Sequence, residues 1–482
     1  VIKARTIITA DPELDDLNSM IRLLLHSNEL EIEGLIYASS QYHWKGDGRG
    51  TTFFQPDREY DRPQTAWRWA AGERFIDDAV DAYAAVHANL VVHDPDYPSP
   101  DALRAVICEG NIAFEGDTSF ETPGSRLIAE ALLDDRPGPI HIQAWAGTST
   151  IARALMSIEA AYSDSEDWPV LRAEISRKAI ISKYGSQDAT YEEYISPRWP
   201  DMCVVDVTNG AWGYWIRHVV LPEDRELLES EWMTANITSV GPLGRLYRVW
   251  GDGRRMVDGD ASDYFHLSGV GRDELTAQGF RVWTEPCPAG EWISEGDTAN
   301  MLNLFDNGLR GHEHPSFGGW GGRGARDGVT SNSWDIRLAH DAAPDGGTPP
   351  EYSLSRWFRA AQNDIAERLR WSISPSYDDA NHHPRVVVKG ALDREEKPGA
   401  SVELSAHVTH PNGNDVVVRW WQYREAGSYP LAVDLHPEGT GRVRFIVPED
   451  AAPGQTLHLI LEATDAGSRP LTSYARVIIT VR

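Results

Sequence analysis

Ala4 to Met20 reads ARTIITADPELDDLNSM. Arg5 to Thr9 is a short apolar run of strand character, and from Leu14 the apolar residues of LDDLNSMIRLLL recur at helical spacing. The strand therefore passes through a tight acidic turn into a helix. Asp11, Asp15 and Asp16 crowd that junction, which in an open α/β sheet is the ligand-binding carboxyl edge and the positive end of the following helix. Three carboxylates this close repel one another and raise each other's pKa values unless a cation sits among them. Because the donors are all oxygens, a hard divalent ion is expected, Ca²⁺ before Mg²⁺. The plainer alternative is that Asp11 caps the turn while Asp15 and Asp16 decorate a helix N-terminus.

Outward from this stretch, Glu31 to Ser39 reads as a second apolar strand. Strand, helix and strand in so few residues make a βαβ unit, which implies a parallel sheet with a right-handed crossover. The loop from Ser39 to Gln64 is long, polar and aromatic, the kind of loop that carries function. The pattern then predicts helices over 64–89, 100–107 and 125–133, and a buried strand over 139–145. That strand is closed by Ala146-Gly-Thr-Ser-Thr150, with Gly147 for the turn and Ser149 or Thr150 as cap. Strands are expected at 178–183 and 202–207 and helices at 223–234 and 297–309. The Gly318-Gly-Trp-Gly-Gly-Arg323 segment lacks the Lys-Ser/Thr ending and the preceding strand of a phosphate cradle. It is expected to be an aromatic loop over a pocket or a surface turn.

A helix over 355–371 repeats Trp357, Phe358, Ala361, Ile365 and Leu369 on one face and closes the first domain. From about Pro384 the period changes to two, in Val402 to Val408, Val443 to Val447, Leu457 to Leu461 and Ala475 to Val481, with turns at 411–414 and 465–468. The expected organisation is thus an α/β domain over 1–372 with a mostly parallel sheet flanked by helices, a linker over 373–384, and an immunoglobulin-like β-sandwich over 385–482.

A chain of 482 residues is long enough for two or three domains, and its 41% hydrophobic content is that of a globular protein with no membrane-spanning stretch. The net charge of −28 argues against nucleic acid or an anionic membrane as partner. Eighteen Trp and seventeen Tyr lean toward carbohydrate, whose rings stack on aromatic faces. Cys108, Cys203 and Cys287 are too scattered for a zinc site or a disulfide framework; one bridge at most can form. A secreted or periplasmic location is expected, with any leader absent from this chain, and a homo-oligomer is compatible with the sequence.

The segments DPELDDLNSMIRLLLHSNELEIEGLIYASSQYHWKGDG (11–48), AGTSTIARAL (146–155), EGDTANMLNLFDNGL (295–309), GGWGGR (318–323) and RAAQNDIAERLRW (359–371) follow one another in the order seen in a known family. The chain resembles the bacterial nucleoside-hydrolase-like proteins grouped with a cellulose-binding protein, which join a nucleoside-hydrolase-type α/β domain to a C-terminal sandwich. True nucleoside hydrolases hold Ca²⁺ in a DxDPGxDD turn, together with a water and the sugar's hydroxyls. The resemblance implies Asp11 and Asp16 as metal ligands, Asp15 on a sugar hydroxyl, Asp297 completing the site, and a main-chain carbonyl ligand near Ser149. Against the nucleoside-hydrolase pattern, Thr9 replaces the first Asp, Glu13 the turn Gly, Ser39 and Ser40 the usual Asn, and Gly296 the His that helps the base depart.

Glycosidic cleavage needs a base to activate water and a way to stabilise the leaving group. A water on Ca²⁺ beside Asp11, with Asp11 as base, would attack directly and invert the anomeric centre. His43, in the polar loop, is the candidate for protonating the leaving group, with His312, His314 and Glu295 in reserve. Gln41, Trp44, Glu295, Trp320 and Arg323 complete the candidate substrate contacts, as fixed donors and aromatic faces for a sugar. The expected function is a Ca²⁺-dependent hydrolase of a furanoside or small glycoside in polysaccharide breakdown. The alternatives are a non-catalytic carbohydrate-binding protein that kept the fold, and a true nucleoside N-ribohydrolase.

Overall fold

The computed structural model describes residues 3–328 and 332–482. Eight strands form the first sheet: β1 (Ala4–Ala10), β2 (Leu30–Tyr37), β3 (Ile107–Glu109), β4 (Ile140–Ala144), β5 (Ala179–Lys183), β6 (Cys203–Asp206), β7 (Ala325–Arg326) and β8 (Ser333–Asp335). Their order is β3-β2-β1-β4-β5-β6-β8-β7, and every neighbouring pair is parallel except β7 with β8. The order reverses between β1 and β4, so a crevice opens beyond their carboxyl ends, where open α/β sheets bind ligands.

Helices cover both faces because both faces of the central strands are apolar; Ile7 packs into one core and Ile8 into the other. On the Ile8 side lie α1 (Leu14–Leu25), α2 (Phe75–His93) and α5 (Phe358–Ile373), which meet through Leu24, Val80 and Ile365. On the other lie α3 (Pro123–Leu133) and α4 (Ser149–Tyr162), packed through Ile128, Leu132 and Leu155.

The remaining strands are β9 (Arg385–Val388), β10 (Asp393–Glu396), β11 (Ser401–Thr409), β12 (Val416–Gln422), β13 (His436–Pro437), β14 (Arg442–Ile446), β15 (Thr456–Asp465) and β16 (Thr472–Val481). They form two four-stranded sheets, β10-β16-β15-β12 and β13-β14-β11-β9, around Val402, Leu404, Phe445, Leu459 and Val477. This is the immunoglobulin-like sandwich expected from the period-two runs. It docks on the α/β domain through Arg476, which donates to the carbonyls of Phe317 (2.8 Å) and Gly318 (2.7 Å), and through Asn363, which donates to Pro470 O.

Several elements differ from the sequence expectation. Residues 64–74 are not helical: Gln64 and Trp67 bridge back to Phe53 and Trp44, and left-handed backbone at Arg68 and Gly72 delays the helix until Phe75. In place of one helix over 223–234, short 3₁₀, α and π turns run from Pro222 to Thr238. In place of a helix over 297–309 there are two 3₁₀ turns, because Asn303 spends its side chain on the glycine-rich segment, accepting from Gly321 N and donating to Gly322 O. All three cysteines are free, so the single bridge that the sequence allowed does not form. No described helix is long and apolar enough to cross a membrane.

Candidate active site

The crevice beyond β1 and β4 is a cleft of about 480 Å³, and carboxylates line its floor. Asp11 leaves the end of β1, while Asp15 and Asp16 occupy the first turn of α1 behind an extended Glu13. Asp297 arrives from the 3₁₀ turn Gly296–Asn300 and His43 from the loop after β2. Carboxylate oxygens of Glu13, Asp15 and Asp16 lie within 4.8 Å of one another, as do donor atoms of Asp11, Glu13 and His43. Asp16 Oδ1 accepts from Asp11 N at 3.1 Å, and Ser294 Oγ donates to Asp15 Oδ2 at 3.1 Å. The ring of His43 places Nδ1 3.4 Å from Asp11 Oδ2.

Both carboxylate oxygens of Asp11, and Oδ1 of Asp15 and of Asp297, are buried with no hydrogen-bond partner. Buried polar atoms are ordinarily satisfied, and an orphaned carboxylate oxygen is costly. The pKa shifts express the same strain. Burial, with the charges of Asp297 and Asp11 added, lifts the Asp16 carboxyl well above its ordinary range. Burial and then Asp15 do so for Asp297 and for Glu13. Burial pushes Asp15 up to about 6 against the Ser294 hydrogen bond. A cluster of hard oxygens with unspent lone pairs and mutually raised pKa values fits a divalent cation. Asp11, Asp15, Asp16 and Asp297, with Glu13 beside them, are the residues that would hold it. Asp11 makes no capping hydrogen bond in this arrangement, and the α1 N-terminus has no side-chain cap at all.

Thus Asp11, Asp15, Asp16, Asp297 and His43, distant in sequence, converge. The other candidates lie elsewhere. Trp44 is fully buried, edge-on to Phe53, Tyr60 and Phe114, and is a core residue of its loop. Trp320 is buried beside Tyr474 at the contact with the sandwich, and Arg323 is paired with Asp341 at 2.8 Å; the glycine-rich segment is interdomain packing, not a pocket cover. Glu295 is buried against Arg22 at 2.6 Å, accepts from Tyr247 and Thr298, and cannot reach substrate. Gln41 sits beside the cleft and donates to Ser186 O at 3.2 Å. Ser149 is the first residue of α4; its N–H is bound to Asp188, and its carbonyl belongs to the helix ladder. His314 packs against Phe317 and Trp334, and neither it nor His312 lines the cleft.

Sequence reasoning missed Glu13 as a member of the cluster and missed the wall formed by Tyr184, Tyr214, Trp215 and Trp283. The available signal was Trp212-Gly-Tyr-Trp215, an aromatic run just past the carboxyl end of β6. Gly296 also has a physical role: a Cβ there would lie 2.7 Å from Asp15 Oδ2, so the side chain found in nucleoside hydrolases would displace this carboxylate.

The family model described as cellulose-binding Sde182, nucleoside hydrolase-like domain, matches residues 5–323, and that of the cellulose-binding protein Sde0182 C-terminal domain matches residues 401–481. Among solved structures, a protein from Saccharophagus degradans aligns over 100% of both chains at 22% identity with a TM-score of 0.73. It is described as a nucleoside hydrolase-related hypothetical protein associated with carbohydrate metabolism, and it shares the fold. The titin M3 domain aligns with 20% of this chain and 97% of its own, at 18% identity and a TM-score of 0.15. No curated protein matches the chain. With both domains matched in order and the acid cluster at the sheet's switch point, the chain belongs to the cellulose-binding Sde182 family with its nucleoside hydrolase-like domain.

Proposed function

We propose that the chain hydrolyses a furanoside or small neutral glycoside, with a divalent cation, Ca²⁺ first, held by Asp11, Asp15, Asp16 and Asp297. The observation that carries this reading is the group of buried carboxylate oxygens without partners, those of Asp15 and Asp297 lining a sugar-sized cleft and those of Asp11 next to His43, which lines it too. When bound, the cation supplies the charge that keeps these groups ionised together and the Lewis acidity that makes a neighbouring water a better nucleophile. Asp11 Oδ2 accepts the proton of the attacking water as its oxygen adds to the anomeric carbon. The bond to the leaving group breaks on the opposite side, which inverts that carbon. His43 Nδ1 stands 3.4 Å from Asp11 Oδ2, on the side of the base and nearer to it than an inverting acid can be, so His43 orients Asp11 and the departing oxygen takes its proton from solvent. Asp15, steadied by Ser294, orients a sugar hydroxyl.

In this reading residues 1–372 are the catalytic unit and 373–384 a linker, and the sandwich of 385–482 orients that unit or contacts polysaccharide outside the cell. Membership of a family described as cellulose-binding also supports a binding protein without chemistry, and one experiment separates the two. Ca²⁺ titrated calorimetrically into chelator-treated protein should release heat and raise the thermal midpoint, and aryl furanosides and small oligosaccharides should then be cleaved. Asp11→Asn should reduce turnover by at least 10³-fold and weaken the ion. Sugar bound without product under every condition favours the binding reading; absence of any heat with Ca²⁺ ends the metal assignment.

A further inference from the structure

We infer that the mouth of this cleft is a separate sugar subsite, built by Trp215 and Trp283, that selects the end of a neutral oligosaccharide over a single sugar or a nucleoside. The inference rests on the glycoside reading of the floor and names the substrate class it takes.

Most large aromatic side chains of this chain are spent on packing: Trp44, Trp145, Trp212 and Trp292 are fully buried. Trp215 and Trp283 are 49% and 39% exposed, and both line the cleft. They are not loose. Trp283 meets Tyr214 edge-on at 4.7 Å and Phe265 at 5.7 Å, which fixes its plane, and Trp215 lies 5.4 Å from it. A rigid, solvent-facing indole pair is the surface on which the apolar faces of sugar rings stack.

The pair sits one tyrosyl side chain away from the carboxylates, because Tyr214 places its hydroxyl 3.3 Å from Glu13 Oε1 while its ring touches Trp283. A ligand that occupies floor and mouth together is therefore longer than one sugar. The planes of Trp215 and Trp283 are inclined by 39° with ring centres 5.4 Å apart, so the two rings pack on each other and leave no parallel slot for a flat base. Charge narrows the class further. Glu59, Asp260 and Asp263 join the floor carboxylates, and the cation among them, Arg68, is engaged by Glu59 and by Asp260 at 3.0 Å. Phosphorylated or uronic-acid ligands are repelled, and uncharged ones are not.

The test uses the full chain carrying Asp11→Asn, so that nothing is turned over, with tryptophan fluorescence and calorimetry reading the binding of cellotetraose, glucose and adenosine. The expected result is cellotetraose bound at least 10-fold more tightly than glucose or adenosine. That preference should vanish in Trp215→Ala/Trp283→Ala and return in part with Trp283→Phe, at an unchanged thermal midpoint. If the double variant does not fold, Trp215→Ala alone, at the more exposed ring, should lower the preference. Cellotetraose affinity indifferent to both tryptophans, no cellotetraose binding, or adenosine as the tighter ligand overturns the inference. Hydrolysis is followed separately in the otherwise unaltered chain: full activity after Asp11→Asn would sink the reading of the floor, whereas Trp-independent binding beside a dead Asp11→Asn enzyme would sink only the subsite.

Discussion

Glu295 and Asp297 are two residues apart and do opposite work. Glu295 answers the guanidinium of Arg22 with two contacts, 2.6 and 3.0 Å, while Arg22 also donates to Gln362 Oε1 and Ala361 O. All of this is fully buried, so the pair locks α1, α5 and the turn that carries Asp297. Removing one partner strands the other's charge, and Glu295→Ala should therefore cost about 3–5 kcal/mol, read as a lower urea midpoint. Asp297→Asn removes one source of repulsion instead and should leave the ion-free chain at least as stable while weakening its response to Ca²⁺, measured as the loss of the metal-induced rise in thermal midpoint. At this scale the sequence was legible where chemistry is contiguous, as in Asp11, Asp15 and Asp16. It was not legible for Trp44, Trp320 and Arg323, because residue type does not say which way a side chain faces.

Among the elements, the turn from β4 into α4 shows how closely the carboxyl edge is packed. Gly147 donates its N–H to Ser39 O at 3.0 Å, and a Cβ there would lie 2.2 Å from Asp188 Oδ2 and 2.8 Å from Ser39 O. Gly147→Ala must push apart the ends of β2 and β4, at about 1–3 kcal/mol, seen as a drop in thermal midpoint together with weaker Ca²⁺ binding at the neighbouring floor. The strands β1, β2, β4 and β5 could be read from the sequence because each is a short apolar run with a turn signal. The segments 64–74, 222–238 and 296–304 could not. Their shapes answer to partners far along the chain, such as Trp44 for Trp67 and the glycine-rich segment for Asn303.

Across the whole molecule, the two domains are joined partly by a histidine held neutral. His458 is buried edge-on against Phe317, and its Nδ1 accepts from Arg476 at 3.0 Å; burial and then Arg476 push its pKa down from 6.5 to about 3. A histidine depressed on folding binds its proton more readily when unfolded, so its contribution is complete above pH 6.5 and is lost as pH falls toward about 3, at about 1.4 kcal/mol per pH unit. Relative to the parent, His458→Gln, which keeps an acceptor for Arg476, should therefore gain stability as pH drops from 6.5 to 4, in thermal melts run side by side. A constant gap between the two would show that this histidine does not titrate with unfolding. Taken together, the sequence alone determined the parallel sheet, the sandwich and the acidic turn, since each follows from local periodicity or from charges adjacent along the chain. Only the tertiary structure brought Asp297, which the family resemblance implied, up against that turn, and only it decided that the glycine-rich segment serves the domain contact and that Trp215 and Trp283 face the cleft. Those facts depend on which distant segments the packed strands bring to one edge, and no local pattern encodes that distance.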